Sequence, residues 1–320
     1  MEEILPLRIY QTIVGILGIL GNALVCFVIL KIPDMQTRIN SFIFHQAVID
    51  FLGSTVILLK SEIKEPDPIP SDALGWFICH VWSAFIMFLL YVMSTFNLLA
   101  LTMERYLAIV HPFKHQAVLA AWPRLKVGVA MTVCWALAFG LKTYNIFIVR
   151  EVKGQCVPNP IPGSKIMGVV VIFLQYILPV GVMFFAYIRI GVEMKRGAAR
   201  VGPGPAAHLP GGANAPDMAN SLLRARRNTF KMLLIVFITF VICWTPNQVI
   251  FLMFNLGFQL TLTEWFYYLS VAMVATNSCV NPFIYALKYR QFRKGLRRIF
   301  SRAREQTENS GTEQSLSEPS

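Results

Sequence analysis

The sequence predicts an all-α membrane protein, a seven-transmembrane helix bundle followed by a C-terminal amphipathic helix. Two observations carry this prediction: 55% of the 320 residues are hydrophobic while only 14% are charged, and the apolar residues fall into seven long runs. A helix needs about 20 largely apolar residues to cross the hydrocarbon core of a bilayer. Soluble domains of this size contain a much larger charged fraction, so we exclude that class.

Each of the seven runs reaches the length of a helical span, and most of them contain no acid or base. They are too long for the strands of a membrane barrel, and a helix satisfies its own backbone hydrogen bonds in lipid. The predicted spans are Ile9–Leu30, Ser41–Leu59, Leu74–Ala108, Val127–Ile146, Ile166–Ile190, Met232–Leu256 and Trp265–Leu287.

The basic residues orient the chain. Lys and Arg are concentrated in the segments that follow the odd-numbered spans, whereas the other segments hold few bases, balanced by acids. This positive-inside asymmetry predicts a plasma-membrane protein with an extracellular N-terminus and a cytoplasmic C-terminus. The first span is too long for the apolar region of a signal peptide and is expected to remain as an anchor. The net charge of +12 therefore reflects contact with the lipid bilayer, and we expect no nucleic-acid partner.

The chain is expected to form one bundle over residues 1–288, with a flexible cytoplasmic loop at 197–220 that is rich in Gly, Pro and Ala. Residues 289–301 carry apolar side chains at helical spacing among five bases, with a sixth at Lys288, which predicts an amphipathic helix on the anionic inner leaflet. Residues 302–320 are polar and predict a disordered tail. This tail either recruits a basic partner when phosphorylated or simply solubilises the chain.

Two of the six cysteines differ from the rest. Cys26, Cys134, Cys243 and Cys279 lie inside apolar runs, as packing residues do. Cys79 and Cys156 fall at the outer, oxidising ends of their segments. We therefore expect them to form a disulfide that ties the loop after the fourth span to the top of the third.

Several polar residues fall near the middle of their spans, where lipid makes them costly. They are Asn22, Asp50, Ser94, Asn277, Ser278 and Asn281. A carboxylate at that depth is either protonated or neutralised by a cation and hydrogen-bond donors. Asp50 with Ser94, Asn277, Ser278 and Asn281 offers the oxygen ligands that a small hard cation prefers, and sodium is the expected occupant. A protonated Asp50 is the alternative.

Prolines interrupt the spans at Pro179, Pro246 and Pro282, with Pro123 near the end of another. Each removes a backbone donor and tends to kink its helix. The kinks in "CWTPNQ" and "NSCVNPFIY" predict hinges in the sixth and seventh helices.

Together the polar and proline motifs resemble those of the rhodopsin-like (class A) G protein-coupled receptors. The resemblance extends from the first span to the amphipathic helix, with about one motif per helix. It is carried by Asn22 in "GNALV", Asp50 in "QAVID", Glu104, Arg105 and Tyr106 in "ERY", Trp135, Pro179 with Tyr187, Trp244 and Pro246 in "CWTP", and Asn281, Pro282 and Tyr285 in "NPFIY".

The resemblance implies an activation switch at the inner face. Arg105 is expected to leave Glu104 on activation and to contact a heterotrimeric G protein as the sixth helix moves outward, and Pro112 and Phe113 are expected to contact it too. Tyr187 and Tyr285 would hold the active state, and Trp244 would be the toggle beneath the ligand. The segment "LRARRNTFK" offers no acid to restrain Arg105, so we expect basal signalling. Arrestin and receptor kinases are further expected partners.

The resemblance also constrains the extracellular ligand. Met87 stands where amine receptors carry an acid, and the seventh helix has no lysine for retinal. "CWTPNQVIFLMFNLG" is most similar to orphan receptors of the neuropeptide branch, near the galanin and somatostatin type. The expected ligand is therefore a peptide, with a small acidic or lipid-like molecule as the alternative. The expected lining is Lys60, Met87, Phe88, Tyr91, Gln175, Asn247, Gln248, Phe251 and Tyr267. Lys60 and Lys142 either pair with an acidic group of the ligand or extend to the interface.

Other classes of multi-span protein fit less well. A transporter would commonly show internal repeats, and an intramembrane hydrolase would need convergent metal ligands in several spans. We expect no enzymatic activity and no required cofactor. A receptor without a ligand of its own, constitutively active or acting as a heteromer partner, stays open. Cys79 lies one residue farther from Arg105 than is usual in the family, so the turn beside it is expected to differ.

Overall fold

The computed structural model describes residues 5–83, 85–119, 122–159, 161–200, 215–259 and 265–301. It confirms an all-helical architecture with one short hairpin. The long helices are α1 (Leu5–Lys31), α2 (Arg38–Glu62), α3 (Ile86–Val110), α4 (Pro123–Phe147), α5 (Leu178–Arg200), α6 (Ala215–Asn255) and α7 (Trp265–Lys288). Shorter helices cover Ala73–Trp76, Pro112–Leu119 and Ser164–Ile172.

The long helices close into a bundle in which α3 is central. α1 packs against α2 and α7, α5 contacts α6, and α6 contacts α7, while α3 contacts α2, α4 and α5. The largest core cluster joins these helices through side chains such as Val25, Leu101, Phe240 and Tyr285. Close approach of α1 and α2 requires a glycine, because a Cβ on Gly18 would lie 2.0 Å from Ser54 Oγ.

Six helical segments of the described chain are long and apolar enough to cross a bilayer. They are Leu5–Lys31, Arg38–Glu62, Ala73–Val110, Leu125–Phe147, Ser164–Gly197 and Arg226–Asn255. The 24-residue α7 has a comparable length, but its asparagines and Pro282 make it less apolar. The bundle packing includes α7, and its membrane crossing stays a prediction.

Two helices extend into the loop predicted at 197–220. α5 continues to Arg200 and α6 begins at Ala215, so both ends of the predicted loop are helical. The remaining residues, 201–214, lie outside the described part. Residues 302–320, the predicted tail, also lie outside it.

One end of the bundle carries a hairpin that the sequence did not indicate; this end is predicted to be extracellular and is called the outer end, and the opposite one is called the inner end. Strands β1 (Val149–Val152) and β2 (Gln155–Pro158) pair antiparallel with Glu151 opposite Cys156. The two turn residues, Lys153 and Gly154, both have positive φ, as a two-residue hairpin turn of matching twist requires. Cys156 thus lies on a rigid ribbon rather than on a loose loop.

The predicted disulfide between Cys79 and Cys156 is present, with a Cα–Cα distance of 5.3 Å. Cys79 lies in a π-helical turn, Phe77–Trp82, that precedes α3. In such a turn Ser83 N–H donates to Ile78 O, five residues back, so the turn contains one more residue than an α-helical one. This extra residue accounts for the unusual spacing between Cys79 and Arg105.

Residues 290–301 form a helix after α7. Tyr289 and Phe292 are buried against the bundle, and the Tyr289 hydroxyl donates to Asn40 Oδ1 at 2.7 Å. Phe300 is exposed. The helix therefore has an apolar inner side, and its position on a membrane surface stays a prediction.

Candidate functional site

A buried polar cluster surrounds Asp50 between α2, α3 and α7. Asp50 is 2% exposed, and its two carboxylate oxygens accept from different amides. Asn281 Nδ2 donates to Oδ2 at 2.8 Å, and Gln46 Nε2 donates to Oδ1 at 3.0 Å. Gln46 Nε2 also lies 2.6 Å from Ser94 Oγ, which accepts from it. Gln46 thus joins Asp50 to Ser94, while Asn281 contacts the other oxygen of the same carboxylate.

The other two residues of the predicted cation site are buried nearby on α7. Asn277 and Ser278 are each 4% exposed, and Ser278 Oγ lies near the position that a Cβ on Gly53 of α2 would occupy, at 3.5 Å. Asn22 Nδ2 donates to the backbone oxygen of Ser278 at 2.8 Å, which ties α1 to α7. Among the described residues, neither Asn277 nor Ser278 donates to Asp50.

This cluster continues into a network that sequence reasoning missed. Gln46 Oε1 accepts from Asn97 Nδ2 at 2.8 Å, and Asn97 Oδ1 lies 2.8 Å from His45 Nδ1. Trp135 Nε1 in turn donates to His45 Nε2 at 3.1 Å. His45, Gln46 and Asn97 are polar residues within apolar spans, and Gln46 precedes Asp50 by one helical turn. That spacing is a signal that could have found Gln46, but it does not point to His45 or Asn97.

Glu104 and Arg105 form an ion pair near the inner end of α3. Their side chains are 8% and 23% exposed. His115 Nε2 lies 3.3 Å from Glu104 Oε1, so the carboxylate is held from two directions. Tyr106 instead lies beside His111, with its hydroxyl 3.4 Å from His111 Nε2.

Arg105 lines an open inner cavity of about 1190 Å³, to which α1 to α6 and the short helix after α3 all contribute residues. Pro112, Tyr187 and Arg226 also line it, while Phe113 is 85% exposed outside. The structure therefore places Arg105 and Pro112 at one concave surface.

The aromatic residues predicted to act in switching lie along the core between the two ends. Tyr187 donates from its hydroxyl to Leu233 O at 3.2 Å and accepts from Thr102 Oγ1 at 3.3 Å, which links α3, α5 and α6. The Tyr285 hydroxyl is buried with no partner among the described residues. Trp244 meets Tyr91 edge-on, with ring centroids 4.9 Å apart. Pro246 and Pro282 lie inside α6 and α7.

The outer residues predicted to line a ligand site form three separate contacts. Gln175 Nε2 donates to Gln248 Oε1 at 3.2 Å, and Asn247 Nδ2 donates to Ser270 Oγ at 3.2 Å. Ser270 then donates to Tyr267 O at 2.7 Å. These bonds therefore connect the π-helical turn Phe173–Ile177, which precedes α5, to α6, and connect α6 to α7.

The remaining outer residues are divided between the core and the surface. Phe88 and Tyr91 pack edge-on with ring centroids 6.5 Å apart, and Tyr91 in turn contacts Trp244. Met87 instead packs against the cluster of α1, α2 and α7. Phe251 is 39% exposed. The structure thus joins Phe88 and Tyr91 and leaves Met87 on another side of α3.

The two outer lysines occupy different surroundings. Lys60 Nζ donates to Ser83 O at 3.3 Å and lies 5.5 Å from the centre of the Trp82 ring. Lys142 is 3% exposed, and its Nζ lies 5.4 Å from the centre of the Phe88 ring. Lys142 thus does not extend to the interface.

Long apolar helices around a buried carboxylate, with an arginine cavity at one end and paired amides at the other, define a helical membrane receptor bundle. The chain belongs to the rhodopsin family of 7 transmembrane receptors, whose family model matches residues 21–285. It is accordingly a multi-pass protein of the plasma membrane.

Individual relatives are similar over most of the chain. Galanin receptor 2b of Danio rerio is 30% identical over 298 residues, covering 91% of this chain and 73% of that receptor. The substance-K receptor of Bos taurus is 30% identical over 293 residues, 89% and 72% of the two chains. Neuromedin-U receptor 2 of Rattus norvegicus is 28% identical over 319 residues, 93% and 75% of the two chains.

Proposed function

We propose that this protein binds an extracellular peptide and activates heterotrimeric G proteins when the inner end of α6 moves outward. In this proposal the N-terminus is extracellular and the C-terminus cytoplasmic. The observation that carries the proposal is the placement of Arg105, paired with Glu104, on the wall of the inner cavity.

The inner cavity has the chemistry of a site for an acceptor-rich helix end. Arg105 and Arg226 line it from α3 and α6, and Pro112 extends the wall. Guanidinium groups donate to backbone carbonyls and carboxylates, which the C-terminal end of a helix presents. Removal of Arg105 from Glu104 would supply the donor, and outward movement of α6 would widen the cavity.

Several contacts support α6 as the moving element. Pro246 removes a backbone donor inside α6, nine residues before the end of the helix at Asn255, and so lowers the cost of bending there. Below it, Tyr187 bonds to the carbonyl of Leu233. Movement of the inner half of α6 would break this bond and free the Tyr187 hydroxyl to meet Tyr285, which has no partner among the described residues.

The peptide ligand is supported by the relatives and by the outer lining. The three relatives named above carry the names of the peptides galanin, substance K and neuromedin U. Gln175, Gln248 and Asn247 offer both donors and acceptors, as recognition of a peptide backbone requires. Tyr91 connects this region to Trp244.

We also propose that sodium binds at Asp50 as an allosteric ion. The carboxylate, hydroxyl and amide oxygens of Asp50, Ser94 and Asn281 match the ligands of a hard cation. Gln46 Nε2 already contacts both Asp50 and Ser94, so the ion would compete with this amide. Bound sodium would supply a fixed positive charge that holds α2, α3 and α7 together.

The test of receptor function compares wild type with Arg105→Ala in cells that carry a panel of G protein dissociation sensors. Both are measured without ligand and then with a neuropeptide library, at matched surface expression. The matched control is Arg150→Ala, because Arg150 is an exposed base on β1. A response that rises with one peptide and that Arg105→Ala alone removes would support the proposal. A well-expressed wild type that engages no G protein under any condition would refute it.

A further inference from the structure

We propose that Lys142 binds a carboxylate of the extracellular ligand, next to Phe88 on α3. This inference rests on the proposed function, because it names the chemistry that the outer site would recognise. It starts from the position of one buried ammonium group that has no acid beside it among the described residues.

Lys142 lies on the inward face of α4. The buried residues of the outer part of this helix are Cys134, Ala138, Lys142 and Asn145, at a spacing of one helical turn. Leu137 and Phe139 between them are 55% and 47% exposed, as lipid-facing residues are. Lys142 therefore lies on the same face of α4 as Ala138, which is fully buried, and its side chain points into the bundle.

The ammonium of Lys142 has no anionic or carbonyl partner in the described part of the chain. The five ion pairs found there join other residues, and none of the hydrogen bonds involves Lys142 Nζ. Its one close contact is the face of Phe88, with Nζ 5.4 Å from the ring centre. A ring quadrupole offsets part of the cost of removing an ammonium from water, but a carboxylate is needed to offset most of it.

Lys60, the other lysine near the outer end of a span, does have polar partners for its ammonium in the described chain. Its Nζ has the carbonyl of Ser83 and the ring of Trp82, and Glu65 lies close enough to attract it. Among the described residues, Lys142 has the ring contact alone. The difference indicates that the partner of Lys142 lies outside the described part of the chain, and we assign that partner to the ligand.

The position of Lys142 also connects it to the core. Phe88 packs on Tyr91 at 6.5 Å, and Tyr91 packs on Trp244 at 4.9 Å. Phe88 is 44% exposed, so other side chains do not seal the ring that covers the ammonium. A carboxylate bound at Lys142 would contact Phe88 and thus lie two aromatic rings from α6. Binding of the acid and displacement of Trp244 would be coupled through these rings.

The first test needs neither ligand nor G protein. Lys142→Met keeps the length of the side chain and removes the charge, so the purified receptor should melt at a higher temperature than wild type. Lys64→Met, at an exposed lysine, is the matched control and should leave the melting temperature unchanged. A lower melting temperature for Lys142→Met would overturn the inference, because it would show that the bundle itself satisfies this ammonium.

The second test measures carboxylate recognition by thermal stabilisation of the purified receptor. The probes are synthetic neuropeptides, each prepared as a free acid, as a C-terminal amide, and with Asn or Gln replacing Asp or Glu. For a peptide that stabilises wild type, neutralising its acid should weaken binding at least about 30-fold, as expected when one partner of a buried charge pair is removed. In Lys142→Met, neutralising the acid should weaken peptide binding less than about 3-fold. Lys142→Arg should still bind the acidic peptide more tightly than the neutral one.

The arms of this test separate the sources of the acid. If stabilisation is lost when the peptide is amidated, its C-terminal carboxylate is the partner of Lys142. If stabilisation is lost when Asp or Glu is replaced, the partner is that side chain. A panel of small carboxylic acids that stabilises wild type and not Lys142→Met would support the same chemistry with a non-peptide source. An acid preference that persists in Lys142→Met would overturn the inference, as would binding without any acid preference. Because stabilisation is measured without a G protein, a failure of coupling in the sensor assay is seen separately.

Discussion

The Glu104–Arg105 pair sets the ligand-free activity that we predict for this receptor, and Glu104→Gln is the change that tests it. Glu104 is the carboxylate that pairs with Arg105 in the described structure, and the α6 segment "LRARRNTFK" contains no second acid. An exposed ion pair contributes about 0.2–1 kcal/mol, whereas breaking a buried one costs about 3–5 kcal/mol. The pair is 8% and 23% exposed, and Gln keeps one acceptor for the guanidinium, so the off state should lose about 1–1.5 kcal/mol, a value between these limits.

That loss changes the ratio of active to inactive receptor roughly 5- to 12-fold, since about 1.4 kcal/mol corresponds to tenfold. The assay is ligand-free signal from the G protein dissociation sensors at matched surface expression. Glu193→Gln is the matched control, because Glu193 pairs with Arg196 at 3.7 Å on the surface of α5, where an ion pair contributes little. Basal signal in Glu104→Gln that is no higher than in Glu193→Gln would refute the assignment of the pair as the restraint.

Three further changes test the packing, the tether and the polar cluster. Gly18→Ala should destabilise the purified receptor by about 1–3 kcal/mol through overpacking against Ser54, and adding Ser54→Gly should restore most of the melting temperature. Cys79→Ser should cost about 2–5 kcal/mol of stability; a variant as heat-stable as the oxidised wild type would contradict the role of the disulfide as a tether. Gln46→Leu should enlarge the stabilisation by sodium several-fold, because it removes the amide that competes at Asp50, whereas an unchanged sodium response would argue against that competition.

Much of the fold could be predicted because a bilayer restricts the solutions. Six of the seven predicted spans correspond to helices that are long and apolar enough to cross a bilayer. The pairing of Cys79 with Cys156 was predicted because both fall at the ends of spans expected to be extracellular. The π-helical turn at Cys79 and the hairpin at Cys156 did not follow. Both depend on how a few residues close a turn against neighbouring backbone, and hydropathy does not report this.

The polar cluster was predicted in part. Asp50 and Asn281, 231 positions apart, were matched through motifs, and the structure joins them at 2.8 Å. Gln46 was missed although it lies one helical turn before Asp50, and His45 and Asn97 were missed because a lone imidazole or amide in an apolar span has no sequence pattern that names its partner. The bond of Gln46 to both Asp50 and Ser94 depends on the rotation of α2 relative to α3.

The sequence by itself determined that the chain is helical, where its apolar spans lie and which ends carry the basic residues, because these follow from local composition and the thickness of lipid. The tertiary structure decided which face of each helix points inward. That choice buries the ammonium of Lys142 at 3% exposure while Lys60 reaches Ser83. The rotation of a helix is set by the packing of all its neighbours at once, so two similar lysines near the outer ends of spans acquire different partners.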